Sequence, residues 1–175
     1  SQPPFFALMV DGLAQASEDP DAVYAKHLDA LKKELAFWSA PERTREGLTR
    51  YYDRENGPRV EMFGTDLEWL SHAEQRPEFF RHLRAACESG WDFSSRWFEQ
   101  GKGLESIETL DLCPVDLNCL LYFLEELLGR ITGEKEYVEA AQRRKLAIQE
   151  KMFDPEKGFF DWQWSEDRLR SEHPS

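Results

Sequence analysis

The stretch that decides the fold class is PVDLNCLLYFLEELLGR, residues 114–130. Proline suits the first turn of a helix, and the leucines after it recur at the spacing of one helical face. These leucines are Leu117, Leu120, Leu121, Leu124, Leu127 and Leu128. Residues 134–152 then predict a second helix that runs back along the first. We therefore expect a core built from paired helices.

Similar helical patterns lie on either side of this pair. Residues 3–17 open with a double proline, residues 19–39 begin with the helix-starting sequence Asp-Pro-Asp, and residues 77–87 return to helical spacing. Between them, residues 40–64 are polar and contain Gly and Pro, with a possible short strand at 48–52. Long loops on a helical frame usually carry function.

Composition limits the kinds of partner that this chain can have. Its 175 residues are 41% hydrophobic and 13% aromatic, which is enough for one domain with a real core. A formal net charge of -12 argues against DNA or RNA, because nucleic-acid binding depends on clustered Lys and Arg. A neutral substrate fits this charge better. The six tryptophans suit a core or a pocket that stacks on sugar rings.

The cysteines and the apolar segments bear on the compartment. Cys87, Cys113 and Cys119 are an odd number without a CxxC pair, so they predict free thiols rather than disulfides or a zinc site. Free thiols favour a reducing compartment, the cytoplasm, over the periplasm or secretion. No stretch has the apolar length of a membrane span, and no secretion signal is recognisable at residue 1. The sequence does not indicate an oligomeric state.

The segment ESGWDFSSRW, residues 88–97, combines glycine, tryptophan, serine and charge at a predicted helix-to-loop junction. One interpretation is structural: Gly90 ends the preceding helix, Asp92 caps a following short helix, and Arg96 pairs with Asp92. The other is functional: Asp92 is a proton donor between the aromatic side chains of Trp91, Phe93 and Trp97. Apolar surroundings would keep that carboxyl protonated, whereas Arg96 close by would lower its pKa.

Four motifs resemble those of trehalases, in the order in which that family carries them. SGWDFSSRW (89–97) is similar to a long family motif, SQPPFFALMV (1–10) and PVDLN (114–118) resemble two more, and RYYD with PRVE (50–61) is a looser match. The resemblance implies an all-α fold that is part of an (α/α)6 toroid, with long functional loops and a short β-hairpin. Residues 1–175 would be a single partial catalytic domain of an inverting hydrolase of α,α-trehalose.

The resemblance also implies a role for particular residues. Asp92 would be the general acid, and the glutamate that acts as base would lie outside this sequence. A set of substrate-binding residues would surround the acid: Ser1, Gln2, Arg59, Val60, Glu61 and Gly90. The resemblance implies a small-molecule substrate, trehalose, and a reaction without metal or cofactor, while the net charge and the lack of a long apolar stretch predict no nucleic acid and no membrane partner. The 175 residues alone are expected to be inactive.

Arg59 and Glu61 also suit a sugar on chemical grounds. Residues two apart in an extended strand point to the same side, so both charged groups would face one ligand. Hydrogen bonds from ionised groups are the stronger ones, which suits a polyhydroxylated substrate. Two alternatives remain open at this stage: a solvated surface hairpin at Arg59, and a helical toroid that binds a sugar or a protein without catalysis.

Overall fold

The computed structural model describes residues 2–73 and 76–164, which divide into two compact units. The helix-pair unit comprises Pro4–Thr49 and Val115–Phe153, and the cleft unit comprises Ser1–Pro3, Arg50–Pro114 and Asp154–Ser175. The α-helices of the described residues are α1 (Phe6–Gln15), α2 (Pro20–Trp38), α3 (Phe63–His72), α4 (Phe79–Ser89), α5 (Val115–Thr132) and α6 (Lys135–Lys151). The strands are β1 (Thr44–Arg45), β2 (Leu48–Thr49), β3 (Leu112–Cys113), β4 (Phe153–Asp154), β5 (Gly158–Phe159) and β6 (Trp162–Gln163).

The helix-pair unit forms where the leucine spacing predicts it. In α2, the Asp19 carboxylate accepts the Ala22 backbone N–H at 3.1 Å, and Pro20 occupies the first turn. α1 packs on α2, and α5 packs on α6 and α2. Leu117, Leu121 and Leu124 of α5 are fully buried. The predicted pairing of residues 114–130 with residues 134–152 is confirmed.

A buried polar network holds β2 against α5 and α6 in this unit. Asn118 accepts the Thr49 N–H at 2.8 Å and donates to the Thr49 carbonyl at 2.9 Å. Arg144 forms two hydrogen bonds with Glu125, at 3.0 and 2.9 Å, and a third with Asn118 at 2.9 Å. All four side chains are buried. The asparagine of the PVDLN motif therefore anchors the end of the strand that precedes the long loop.

The cleft unit contains α3 and α4, several single-turn 3-10 helices and the antiparallel pair β3–β6. Its core includes Phe79 and Leu83 of α4 together with Trp97 and Tyr51, whose rings meet edge to face at 6.2 Å. α3 lies partly within the stretch that the sequence predicts to be irregular. Only Asp66 of this helix is fully buried, while Phe63 and Leu67 are 57% and 43% exposed.

The expected fold class is confirmed. The described residues are dominated by helices, and their strands are only two residues long. Helix ends agree with the sequence patterns within two or three residues, as in α4, where Gly90 follows the last helical residue with a left-handed φ of 73°. None of the helices in residues 2–73 and 76–164 is long and apolar enough to cross a membrane.

Candidate active site

A cleft of about 280 Å³ opens on the cleft unit, and three of the predicted site residues line it. Arg59, Val60 and Glu61 form one wall. The rest of the lining comes from the RYYD segment and from α4, namely Asp53, Arg84, Cys87 and Glu88. The lining is rich in charged groups, which suits a polar ligand that offers several hydroxyls.

The backbone at this wall is not the continuous strand that the sequence predicts. Arg59 is extended, with φ −67° and ψ 137°, but Val60–Met62 form a 3-10 helix that leads into α3. Val60 is consequently 91% exposed. The extended geometry expected for residues 59–61 is therefore wrong from Val60 onward, because the chain turns here into a helix that the sequence pattern misses. Arg59 and Glu61 nevertheless line the same cleft.

Arg59 is held on one edge by a buried carboxylate. Its Nε donates to Asp66 Oδ2 at 3.0 Å and its Nη2 to Asp66 Oδ1 at 2.6 Å, while Nη1 donates to Cys87 Sγ at 3.1 Å. The Trp69 and Phe93 rings lie 5.8 and 5.3 Å from the guanidinium carbon. The hydrogen bonds with Asp66 raise the pKa of Arg59 above its usual value, against the opposing effect of burial.

Hydrogen bonds and an ion pair attach the RYYD segment to α4. The Tyr52 N–H donates to Glu88 Oε2 at 3.0 Å, and Arg81 donates to the Tyr52 hydroxyl at 2.8 Å. Arg84 Nε lies 3.2 Å from Asp53 Oδ2. The second wall of the cleft is thus formed by Arg84, Cys87 and Glu88 of α4 together with Asp53.

Gln2 and Gly90 meet elsewhere in the same unit. A Cβ atom added to Gly90 would lie 3.1 Å from Gln2 Oε1, so the glutamine side chain closely covers this glycine. The residues that line the 280 Å³ cleft do not include either of them. Ser1, which the resemblance places beside Gln2, lies outside the described residues.

Asp92 follows Gly90 on an exposed turn and is not one of the residues that line the cleft. Its φ of 24° is unusual for a residue with a side chain, although Asp tolerates positive φ better than most. Its charge still acts on the cleft. Burial is the main cause that raises the pKa of the Cys87 thiol; Arg59 opposes this shift, and the Asp92 carboxylate adds to it.

Two expectations about the neighbours of Asp92 are wrong. Ser94, not Asp92, caps the short helix Ser95–Trp97, and Arg96 forms a bidentate pair with the buried Asp161, both hydrogen bonds being 2.6 Å long. Trp97 is fully buried in the core, whereas Trp91 is 58% exposed. An apolar box around Asp92 is therefore absent from the described residues, since Trp97 packs inward and Phe93 packs on Trp69 at 5.1 Å.

Sequence reasoning misses five residues of the cleft or its support: Asp53, Asp66, Arg84, Cys87 and Glu88. Asp66 was detectable only if α3 had been recognised, because it then falls in the first turn of a helix that starts just after Arg59. Asp53 lies within the RYYD motif, which the sequence analysis singles out, but the motif does not indicate that Asp53 lines the cleft. Within the described residues, no cluster of three or more His, Cys, Asp or Glu side chains could hold a metal ion.

The fold and the cleft define a mainly α-helical protein with a polar, charge-lined cleft. The chain belongs to the trehalase family, because the family model described as Trehalase matches residues 1–175. The family resemblance of the four sequence motifs is thereby confirmed.

Curated relatives agree with this family. The chain is 41% identical to a periplasmic trehalase of Pseudomonas aeruginosa over 192 residues, which cover 96% of the chain and 35% of that protein. It is 37% identical to one of Xanthomonas campestris over 187 residues, covering 94% and 33%. It is 34% identical to one of Citrobacter koseri over 197 residues, covering 98% and 34%. The chain thus spans about a third of the length of these relatives.

The names of these relatives correct the expected compartment. All three are called periplasmic, so the preference for the cytoplasm drawn from the cysteines is wrong. Cys87, Cys113 and Cys119 are free thiols, as the sequence predicts. Unpaired cysteines are a weak indicator, because an oxidising compartment permits disulfides without requiring them.

Proposed function

We propose that this chain is part of the catalytic domain of an α,α-trehalase, which hydrolyses α,α-trehalose to two glucose molecules with inversion. The observation that carries the proposal is the convergence of Arg59, Val60 and Glu61 on one charged cleft in a chain of the trehalase family. The names of the curated relatives support the same substrate.

In this proposal the cleft binds one glucose unit through its hydroxyls. Arg59 donates from its guanidinium, and the exposed Glu61 accepts from its carboxylate, so a hydroxyl that both donates and accepts can be bonded on both sides. Gly90 and Gln2 lie against the sugar together, and Ser1 belongs to the same group. A Cβ atom at Gly90 would lie 3.1 Å from Gln2 Oε1, so a side chain here would displace the glutamine from the position that the proposal gives it.

Asp92 is the proposed general acid, which gives its proton to the oxygen of the departing glucose. A carboxyl performs this step near neutral pH only when its pKa is raised, and loss of contact with water is the usual cause. Asp92 is exposed in the described residues. The bound disaccharide and sequence outside this chain must therefore supply the desolvation. Because Asp92 needs no metal for this step, the proposed reaction requires no cofactor.

The proposed base is a glutamate outside the 175 residues, which activates the attacking water. Inverting glycosidases keep their two carboxyls roughly 6.5–9.5 Å apart so that a water molecule fits between the base and the sugar. Since the pair is divided between this chain and other sequence, the activity belongs to the longer protein. Its substrate is a neutral small molecule, in keeping with the net charge of -12.

The stereochemistry of the first product tests the proposal. Water that attacks the face opposite the leaving group turns one α-linked glucose into β-glucose, while the departing half keeps its α configuration. We expect proton NMR of the anomeric region, recorded on the full-length enzyme before mutarotation, to show equal amounts of both anomers. Early release of α-glucose alone would mean a retaining pair of carboxylates. No release of glucose would favour a non-catalytic sugar-binding protein.

A further inference from the structure

Asp66 is deeply buried, and its carboxylate accepts hydrogen bonds from Arg59. The residue has 0% of its surface exposed, and both of its carboxylate oxygens contact Arg59. Oδ2 also accepts the Arg59 backbone N–H at 2.8 Å. These three bonds fix the main chain and the guanidinium of Arg59 at the same time, so the carboxylate determines where this side chain points.

The arrangement leaves part of the guanidinium available. An arginine carries five N–H donors, and Asp66 uses two of them while Cys87 Sγ uses a third. Among the contacts of the described residues, two donors remain, one on each terminal nitrogen, on a side chain that lines the cleft. The edge formed by Nε is turned to the buried carboxylate and 10% of the Arg59 side chain is exposed, so the remaining donors are the ones left for a ligand in the cleft.

Stability alone is a weak reason for such a pair. A charge pair removed from water commonly contributes no more than apolar side chains of the same volume, because desolvation offsets the attraction. A fixed orientation, in contrast, has a direct effect on recognition, since hydrogen bonds to a sugar hydroxyl depend on angle and distance. The bidentate geometry restricts rotation of the guanidinium plane in a way that a single bond cannot.

We propose that Asp66 is a positioning residue for substrate recognition, which aims the free donors of Arg59 into the cleft with the help of Cys87. The inference rests on the proposed function, in which Arg59 binds a sugar hydroxyl. Asp66 itself does not contact the substrate. Substitution of Asp66 should therefore weaken substrate binding, and it should have no such effect in a variant that lacks the Arg59 side chain.

A double-mutant cycle in the full-length enzyme tests this. Asp66→Asn keeps the size of the side chain but replaces one acceptor with a donor, so the two-bond contact with Arg59 is lost. We expect KM for trehalose and the inhibition constant of 1-deoxynojirimycin, a glucose-shaped iminosugar, to rise about tenfold or more, with kcat changed far less. On an Arg59→Ala background, the same substitution should change the inhibition constant less than about twofold.

Two matched variants separate positioning from folding. Glu68→Gln makes the same charge change on the exposed face of α3 and should leave both constants unaltered. If Asp66→Asn does not fold, Asp66→Glu retains the charge but moves the carboxylate by one methylene, and we expect it to raise the inhibition constant in the folded enzyme. Cys87→Ala removes one bond to Nη1 and should produce a smaller rise than the Asp66 variants.

The outcomes distinguish this inference from the function on which it rests. Unchanged inhibition constants in folded Asp66→Asn or Asp66→Glu, with Arg59→Ala impaired, reject the positioning role and leave the trehalase proposal intact. Equal losses from Asp66→Asn with and without Arg59 also reject it, since the effect would then not pass through Arg59. A wild-type enzyme that neither hydrolyses trehalose nor binds the iminosugar overturns both proposals.

Discussion

Asp92 is the residue on which the proposed chemistry depends. Asp92→Asn in the full-length enzyme keeps the shape of the side chain but removes the proton that the leaving oxygen needs. We expect kcat for trehalose to fall about a hundredfold to ten-thousandfold, with ligand binding largely intact. Steady-state kinetics and inhibitor titration measure the two effects separately.

The control for this substitution is Asp29→Asn, which makes the same change on an exposed position of α2. It should leave kcat unaltered. A fall of less than about tenfold in Asp92→Asn would transfer the acid role to another group, because the acid contribution is normally larger than that. The carboxylates that line the cleft, Asp53, Glu61 and Glu88, would then become the candidates.

Gly90 joins the end of α4 to the acid-bearing turn, and its conformation explains why glycine is needed. Its left-handed φ of 73° is costly for any residue with a Cβ atom, and that atom would press on Gln2 Oε1 at 3.1 Å. We expect Gly90→Ala to lower the free energy of unfolding by about 1–2 kcal/mol and to raise KM for trehalose by displacing Gln2. Urea unfolding and kinetics provide the two measurements.

Gly101 offers a matched comparison for this change. Its φ of 78° is nearly the same, but no heavy atom lies within 4 Å of the position that a Cβ atom would take. Gly101→Ala should therefore reproduce the loss of stability without the change in KM. If both variants raise KM equally, or if neither does, the close contact between Gly90 and Gln2 has no part in substrate binding.

The network of α5 and α6 makes a prediction about stability alone. Arg144→Met leaves the buried Glu125 without the partner that binds both of its carboxylate oxygens. An uncompensated buried charge typically costs about 3–5 kcal/mol. We expect a loss of that order in urea unfolding, and the double substitution with Glu125→Leu should recover part of it, because the apolar pair no longer buries a charge.

Arg143 is the control on the same helix. Its side chain and that of Glu139 are both mostly exposed, and their closest nitrogen and oxygen atoms are 3.9 Å apart. Exposed pairs of this kind contribute about 0–1 kcal/mol, so Arg143→Met should change stability little. Equal effects of the two arginine substitutions would show that burial of the Arg144–Glu125 pair is unimportant.

The 175 residues taken alone should neither hydrolyse trehalose nor stay monomeric. The proposed acid and base are divided between this chain and other sequence, and α1 exposes apolar side chains at helical spacing, with Met9 at 68% and Leu13 at 56%. Apolar surface of this kind promotes association. A glucose-release assay and light scattering after size exclusion check both expectations. Strong hydrolysis by a monomer would contradict the proposal that the base lies elsewhere.

Much of the helical frame was predictable because its causes are local. The leucines of α5 repeat at helical spacing, Asp19 and Pro20 start α2, and Gly90 ends α4, so neighbours in sequence determine these elements. α3 was missed because it begins inside the polar stretch 40–64, whose Gly and Pro residues predict an irregular loop. Family membership was also recognisable from contiguous motifs, which need no knowledge of the fold.

The sequence by itself determined the mainly α-helical class, the family and the candidate acid at Asp92. Only the tertiary structure decided which charged and polar groups form hydrogen bonds with each other. Arg96 binds Asp161, 65 residues away, rather than its neighbour Asp92, and Asn118 binds Thr49 across 69 residues. Periodicity and motifs report on local conformation, whereas ion pairs and clefts form between segments that the folded chain brings together. The role inferred for Asp66 therefore depends on the tertiary structure, which places its carboxylate beside the Arg59 guanidinium.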